Sequence, residues 1–164
     1  MINSVTKTIM SFCIVGSLFI AGCAGSDTEQ QEMPFQTVEQ RGVSPTQLTS
    51  GIYVLRTAME WSNFWSVLKS SMIPQPPLPL VDFSENVVIA VVDHSRSTGG
   101  HSITITHLLK STAGMVVQAV HQSPGQDCLV TQALDQPYHI VTTPVFSGEA
   151  TLNVTETVLN CSTP

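Results

Sequence analysis

The side chains with the most chemistry to offer are five histidines, at positions 94, 101, 107, 121 and 139. A metal site needs several imidazoles or carboxylates at coordination distance, and the local signs of one are His-x-His or His-Glu-x-x-His. Neither spacing occurs. His101 and His107 share one face of an alternating run, His101 to Leu109, but at about 3.3 Å per residue they stand roughly 20 Å apart. The pattern implies no metal and no cofactor. Asp93-His94 with Ser95 or Ser97 contains the ingredients of a hydrolytic triad. Adjacent strand residues point to opposite faces, however, and no Gly-x-Ser-x-Gly elbow is present. No phosphate-cradling glycine loop of the Walker or dinucleotide type occurs either. The expectation is a protein that is not an enzyme.

The stretch that organises the chain is Thr98-Gly99-Gly100-His101. It lies between two runs rich in β-branched residues, Asn86 to Asp93 and His101 to Leu109. Paired glycines supply positive φ and close backbone approach, so Ser95 to Gly100 reads as the loop of a central β-hairpin. Two uses are open: a turn that only satisfies geometry, or a contact loop for a partner.

Composition says which elements must carry these residues. The 164-residue chain has room for one domain with a real core. Its charged fraction is 11%, low enough to favour strands over helix bundles. Its net charge of −6 disfavours nucleic-acid binding, which needs a basic stripe. Gly51 to Arg56 reads as a strand. Thr57-Ala58-Met59-Glu60 reads as a capping box, and Trp61, Phe64, Trp65 and Leu68 follow at helical spacing, predicting one amphipathic helix from about Ala58 to Ser70. Pro74-Gln75-Pro76-Pro77-Leu78-Pro79 ends it as an extended connector. Strands are then expected at Met115–His121, Cys128–Ala133, Gln136–Thr142 and Thr151–Leu159, beside the two runs around the glycines. The fold class is α+β and β-rich: a single antiparallel β-sandwich or partly closed barrel of six to eight strands with one helix packed on it.

The N-terminus reads as export chemistry. Lys7 precedes an apolar stretch, Ile9 to Ala21, too short to span a bilayer comfortably. It ends in Ala21-Gly22-Cys23, which resembles the bacterial lipobox. That resemblance implies a signal peptide over residues 1–22 and acylation of Cys23. Multiple acyl chains anchor stably, each buried CH₂ contributing about 0.8 kcal/mol. Ala24, rather than Asp, resembles cargo sorted to the outer membrane. Residues 23–48 are polar and acidic and are expected to be a disordered tether, with the domain at 49–164. Cys128 and Cys161 remain in the exported part. They are either a disulfide, contributing roughly 3–4 kcal/mol for a loop of about 34 residues, or two buried thiols.

Asp82-Phe83-Ser84, Val88-Ile89-Ala90-Val91, Thr98-Gly99-Gly100, Pro124-Gly125, Cys128 to Leu134 and Pro137-Tyr138-His139-Ile140-Val141 together resemble the C-terminal domain of the PrcB family of protease complex subunits. The resemblance spans roughly residues 82–145. It implies a non-enzymatic lipoprotein that assembles with and stabilises a secreted protease, with Thr98, Gly99, Gly100, His101, Pro137, Tyr138 and His139 facing the partner. His101 departs from the family, which usually has an aromatic there. The glycine loop also resembles that of chagasin-type protease inhibitors, so an inhibitor is an alternative, and a small-ligand-binding envelope lipoprotein is another.

Overall fold

The computed structural model describes residues 30–43, 46 and 48–162. Cys23, the signal segment and the start of the expected tether lie outside the described residues. Two four-stranded sheets pack face to face, with one helix on the outside. The strands are β1 (Gln31–Glu32), β2 (Gln36–Val43), β3 (Gly51–Leu55), β4 (Asn86–Val92), β5 (Ser102–Ser111), β6 (Gly114–Pro124), β7 (Gln136–Pro144) and β8 (Glu149–Leu159), with α1 (Ala58–Leu68) between β3 and β4. One sheet has the order β1-β5-β6-β8 and the other β2-β7-β4-β3. The sandwich is open rather than a closed barrel.

The unbroken apolar run of β4 is explained by burial on both faces. Val87, Ile89 and Val91 face the other sheet, where they meet Ile103, Ile105, Leu108, Met115 and Val117. Val88, Ala90 and Val92 face the helix, where they meet Trp61, Phe64, Trp65 and Leu68. The helix starts as its sequence dictates: the Thr57 hydroxyl accepts from the Glu60 amide at 3.2 Å, and a Glu60 carboxylate oxygen accepts from the Thr57 amide at 3.1 Å. It ends at Leu68, two residues before the expected Ser70. The proline connector is stapled across it, because the indole N–H groups of Trp61 and Trp65 donate to the carbonyls of Pro79 and Pro76 at 2.9 and 3.1 Å.

Several expectations change. β4 and β5 are not a hairpin: β4 is flanked by β3 and β7, while β5 pairs with β1 and β6. Both edges of β4 are taken, so the glycine loop instead carries the chain from one sheet to the other. Not all pairing is antiparallel, for β8 runs parallel to β6 from Gly114↔Glu149 to Pro124↔Leu159. Residues 31–32 and 36–43, placed in the tether by composition, are strands: β2 pairs along β7 from Gln36↔Thr142 to Val43↔Gln136. Polar side chains conceal this, yet Gln40 Nε2 donates to the Ile103 carbonyl at 3.0 Å, tying β2 to β5 of the opposite sheet.

Cys128–Ala133 is irregular rather than a strand. Its Thr131 carbonyl accepts from Gly99 at 3.0 Å, and the Cys128 amide turns back to Gly125 at 3.1 Å. The expected disulfide between Cys128 and Cys161 is formed, with the Cα atoms 5.1 Å apart, and it fastens this loop to the end of β8. A register shift between Ile105 and His107 breaks the expected alternation of β5. Leu108 therefore takes the inward position, and His107 turns to solvent, away from the face of Ile103 and Ile105.

Candidate functional site

The crossover loop after β4 is held by backbone bonds along the segment that leads into β7. The Asp93 amide donates to the Pro137 carbonyl at 2.8 Å, Arg96 and Asp135 exchange bonds at 2.7 and 3.0 Å, and Gly99 donates to Thr131. This close docking is why two glycines are needed. A Cβ at Gly99 would collide with the Thr131 hydroxyl. Gly100 has φ +88°, and a Cβ there would lie 3.0 Å from Val130 Cγ1 and 3.3 Å from Pro124. Three blocks of the sequence resemblance, Thr98-Gly99-Gly100, Pro124-Gly125 and Cys128 to Leu134, are thus one interlocked cap at the end of the sandwich. Gly99 is buried, Thr98 and His101 are half-buried, and Gly100 is exposed. Gly100→Val should lower unfolding stability by about 1–3 kcal/mol through backbone strain and crowding. Urea unfolding followed by tryptophan fluorescence measures this, and an unchanged midpoint would contradict the packing account.

Beneath the cap, four elements converge on a polar cluster. Asp93, at the end of β4, is buried and accepts a bidentate bond from Arg96 at 2.9 Å from both Nε and one terminal nitrogen. Its Oδ2 also faces His121 Nε2 of β6 at 3.4 Å. The other ring nitrogen of His121 bonds Glu156 of β8. His101 stacks on His121, with ring planes 8° apart and Nδ1 lying 3.3 Å from His121 Nε2. Burial, then the nearby Arg96 charge and His121, push the His101 pKa down against the pull of Asp93 and Asp135. The His94 ring bonds the Ser50 hydroxyl at 3.0 Å rather than the Asp93 carboxylate. Asp93, Arg96, His94, Ser50 and Glu156 line a cleft of about 280 Å³ floored by Ile103 and Leu152. Its carboxylates already have cationic or imidazole partners. This chemistry suits holding the cap and offering polar groups at its rim better than activating a nucleophile.

Pro137, Tyr138 and His139, expected to face a partner, are buried in the central strand β7. They are corrected from contact residues to core residues. β7 lies between β2 and β4 with a packed layer on each face, so no side chain in the middle of it reaches the surface. His139 points between the sheets, where Nδ1 accepts the Ile105 amide at 2.8 Å and Nε2 meets the Thr37 hydroxyl at 3.0 Å. Tyr138 points toward the helix and bonds Lys69 Nζ, which also reaches Glu39 at 2.6 Å. The Lys69 ammonium sits 4.5 Å from the Trp65 ring centre and 4.9 Å from that of Tyr138. Burial pushes the Lys69 pKa down, opposed by Glu39. Burial would raise that of Glu39, but hydrogen bonds from Lys69 and Arg41 outweigh it and hold the carboxyl below its usual range.

Sequence reasoning missed Glu39, Lys69, Arg96 and Glu156. Lys69 alone had a signal, since it continues the Trp61, Phe64, Trp65, Leu68 stripe at the next helical position. Among the described residues, no group of three or more His, Cys, Asp or Glu side chains is arranged to hold a metal ion.

This cap and the strands around it coincide with a family match. Residues 87–144 match the family model described as PrcB C-terminal. The match begins at the second residue of β4 and ends with β7, so it contains the crossover loop, β5, β6 and the cap. It leaves out α1, the two N-terminal strands, β3 and β8. No curated protein and no solved structure matches the chain. Within the matched segment, Gly99 and Gly100 hold the crossover against the cap, and Tyr138 and His139 are buried in the core. Gly100, Leu129 and Leu134 are among the residues exposed at this end, Leu129 fully.

Proposed function

We propose that this chain is a non-enzymatic, exported lipoprotein, anchored in the outer membrane through acylated Cys23, whose sandwich binds and stabilises a partner protein of the extracytoplasmic protease class. The observation that carries the reading is the PrcB C-terminal match over residues 87–144, a family named for protease complex subunits. The contact surface is the cap. Leu129 and Leu134 are 103% and 65% exposed on a loop that the disulfide and the glycine crossover keep rigid. A preordered apolar surface loses little entropy on binding.

The test uses the lipidated chain, extracted in mild detergent under conditions that keep envelope complexes intact. Wild type should retain one protease in stoichiometric amount, identified by mass spectrometry. Leu129→Asp combined with Leu134→Asp should lose it while unfolding at an unchanged urea concentration. Retention of the protease by that variant would remove the cap from the reading, and no retained protease in wild type would remove the reading itself. A retained protease whose activity falls at equimolar chain would make the protein an inhibitor instead. Cys23→Ala should abolish incorporation of labelled palmitate and release the protein from the membrane fraction.

A further inference from the structure

The two sheets have four outer edges, and three are blunted. β1 has two residues, β2 carries a register break between Thr37 and Glu39, and β3 has five residues. β8 is different. Its eleven residues keep an unbroken register with β6 and include no Pro, Gly or Lys. Among the described residues nothing pairs with its outer side. Natural proteins guard long edges with prolines, lysines, bulges or short length, because unpaired N–H and C=O groups template another strand. On the inward face of β8, Val154 and Val158 are 39% and 71% exposed. The one charge on that face, Glu156, is already bonded to His121.

We propose that β8 pairs antiparallel with β8 of a second copy of this chain, joining two four-stranded sheets into one across a two-fold axis. The sequence of β8 is self-complementary in the register that overlaps it completely. That register sets Val154 opposite Val154, Asn153 opposite Thr155, Thr151 opposite Thr157, Ala150 opposite Val158, and Leu152 opposite Glu156. The outer face then pairs Asn with Thr and Thr with Thr, which hydrogen-bond across strands, with Glu149 opposite Leu159 at each end, and no like charges meet. The inner face brings the exposed valines together with each other and with Ala150. An isologous contact of this kind closes on itself and leaves no further edge of β8 to pair. The inference does not depend on the protease-binding reading, and a chain with no protease partner would still show it.

The experiment uses the full lipidated chain in mild detergent, with mass measured by light scattering. Wild type should be dimeric. Asn153→Lys with Thr155→Lys should be monomeric, because each introduced lysine faces one from the other copy. Asn153→Lys with Thr155→Glu should restore the dimer, since the charges then face their opposites. Under mild oxidation, Val154→Cys should form a covalent dimer above the wild-type background. An equal mixture of Asn153→Cys and Thr155→Cys chains should cross-link to each other in preference to themselves. A monomeric wild type overturns the proposal, as does a double-lysine variant that stays dimeric. A Val154→Cys chain that cross-links only to a protein of different mass, or an Asn153→Cys chain that couples to itself, also overturns it.

Discussion

Glu39→Ala should destabilise the domain by about 3–5 kcal/mol, whereas Lys69→Met should lie within about 1 kcal/mol of wild type. The two changes break the same ion pair, and the difference comes from what each leaves behind. Lys69 is fully buried beneath the helix, between the Trp65 and Tyr138 rings. Without Glu39 its ammonium keeps the Tyr138 hydroxyl and two ring faces but has no anion, in a place water does not reach. Removing the lysine instead leaves Glu39 with Arg41 at 3.1 Å and about a fifth of its side chain in solvent. The unbranched methionine fills the slot between the two rings, and the stem of Lys69 was already packed as an apolar chain. Urea unfolding of the two variants measures the asymmetry. Equal losses would show that the pair contributes through attraction rather than through the cost of an unpaired buried charge. A large loss in Lys69→Met alone would show that the ammonium itself organises the helix–sheet interface.

The second large effect is expected at His139. His139→Ala should cost about 2–4 kcal/mol, since it opens a cavity between the sheets and leaves the buried Ile105 amide without an acceptor. The same geometry determines a pH dependence. Nδ1 accepts an amide proton, so it carries none itself, and Nε2 holds the ring proton that is donated to the Thr37 hydroxyl. Burial pushes the pKa below its ordinary value of 6.5. The unfolded chain therefore takes up a proton near that value while the folded chain resists it. The His139 contribution is complete above about pH 6.5 and is lost progressively as pH falls from there toward the folded-state pKa. His101, shifted in the same direction, adds to the slope. Urea midpoints at pH 7.5 and 5.5 should differ in wild type, the acid value being lower, and the difference should shrink in His139→Gln, which retains an acceptor and a donor. A wild-type midpoint that is flat across this range would contradict the buried neutral ring.

Local chemistry made several elements legible. The capping box and the aromatic stripe located the helix, because hydrogen bonds and contacts between residues three and four apart need no tertiary partner. The β-branched runs located β4 to β8 within a few residues, and the pair Cys128 and Cys161 pointed to the disulfide. The glycine pair marked a place where backbone approaches backbone. β2 was invisible for the opposite reason. In Gln36–Val43 the apolar signal is weak, and the strand is held by backbone pairing with β7 and by the Gln40 amide reaching across to β5.

By itself, the sequence determined that this is a strand-rich domain with one capped helix, which residues alternate toward a core, and which family its central segment resembles. Alternation reports only that a side chain is buried; it does not say against what. Whether β4 lies beside β5 or across from it, whether β8 runs with β6 or against it, and whether His139 faces a partner or the opposite sheet are decided by pairings between residues far apart in the chain. Those pairings are set by which edges remain free once the central strands have been flanked. The Asp93–Arg96–His121–Glu156 cluster is of this kind. Its members come from β4, the crossover, β6 and β8, and no spacing along the chain relates them until the two sheets close.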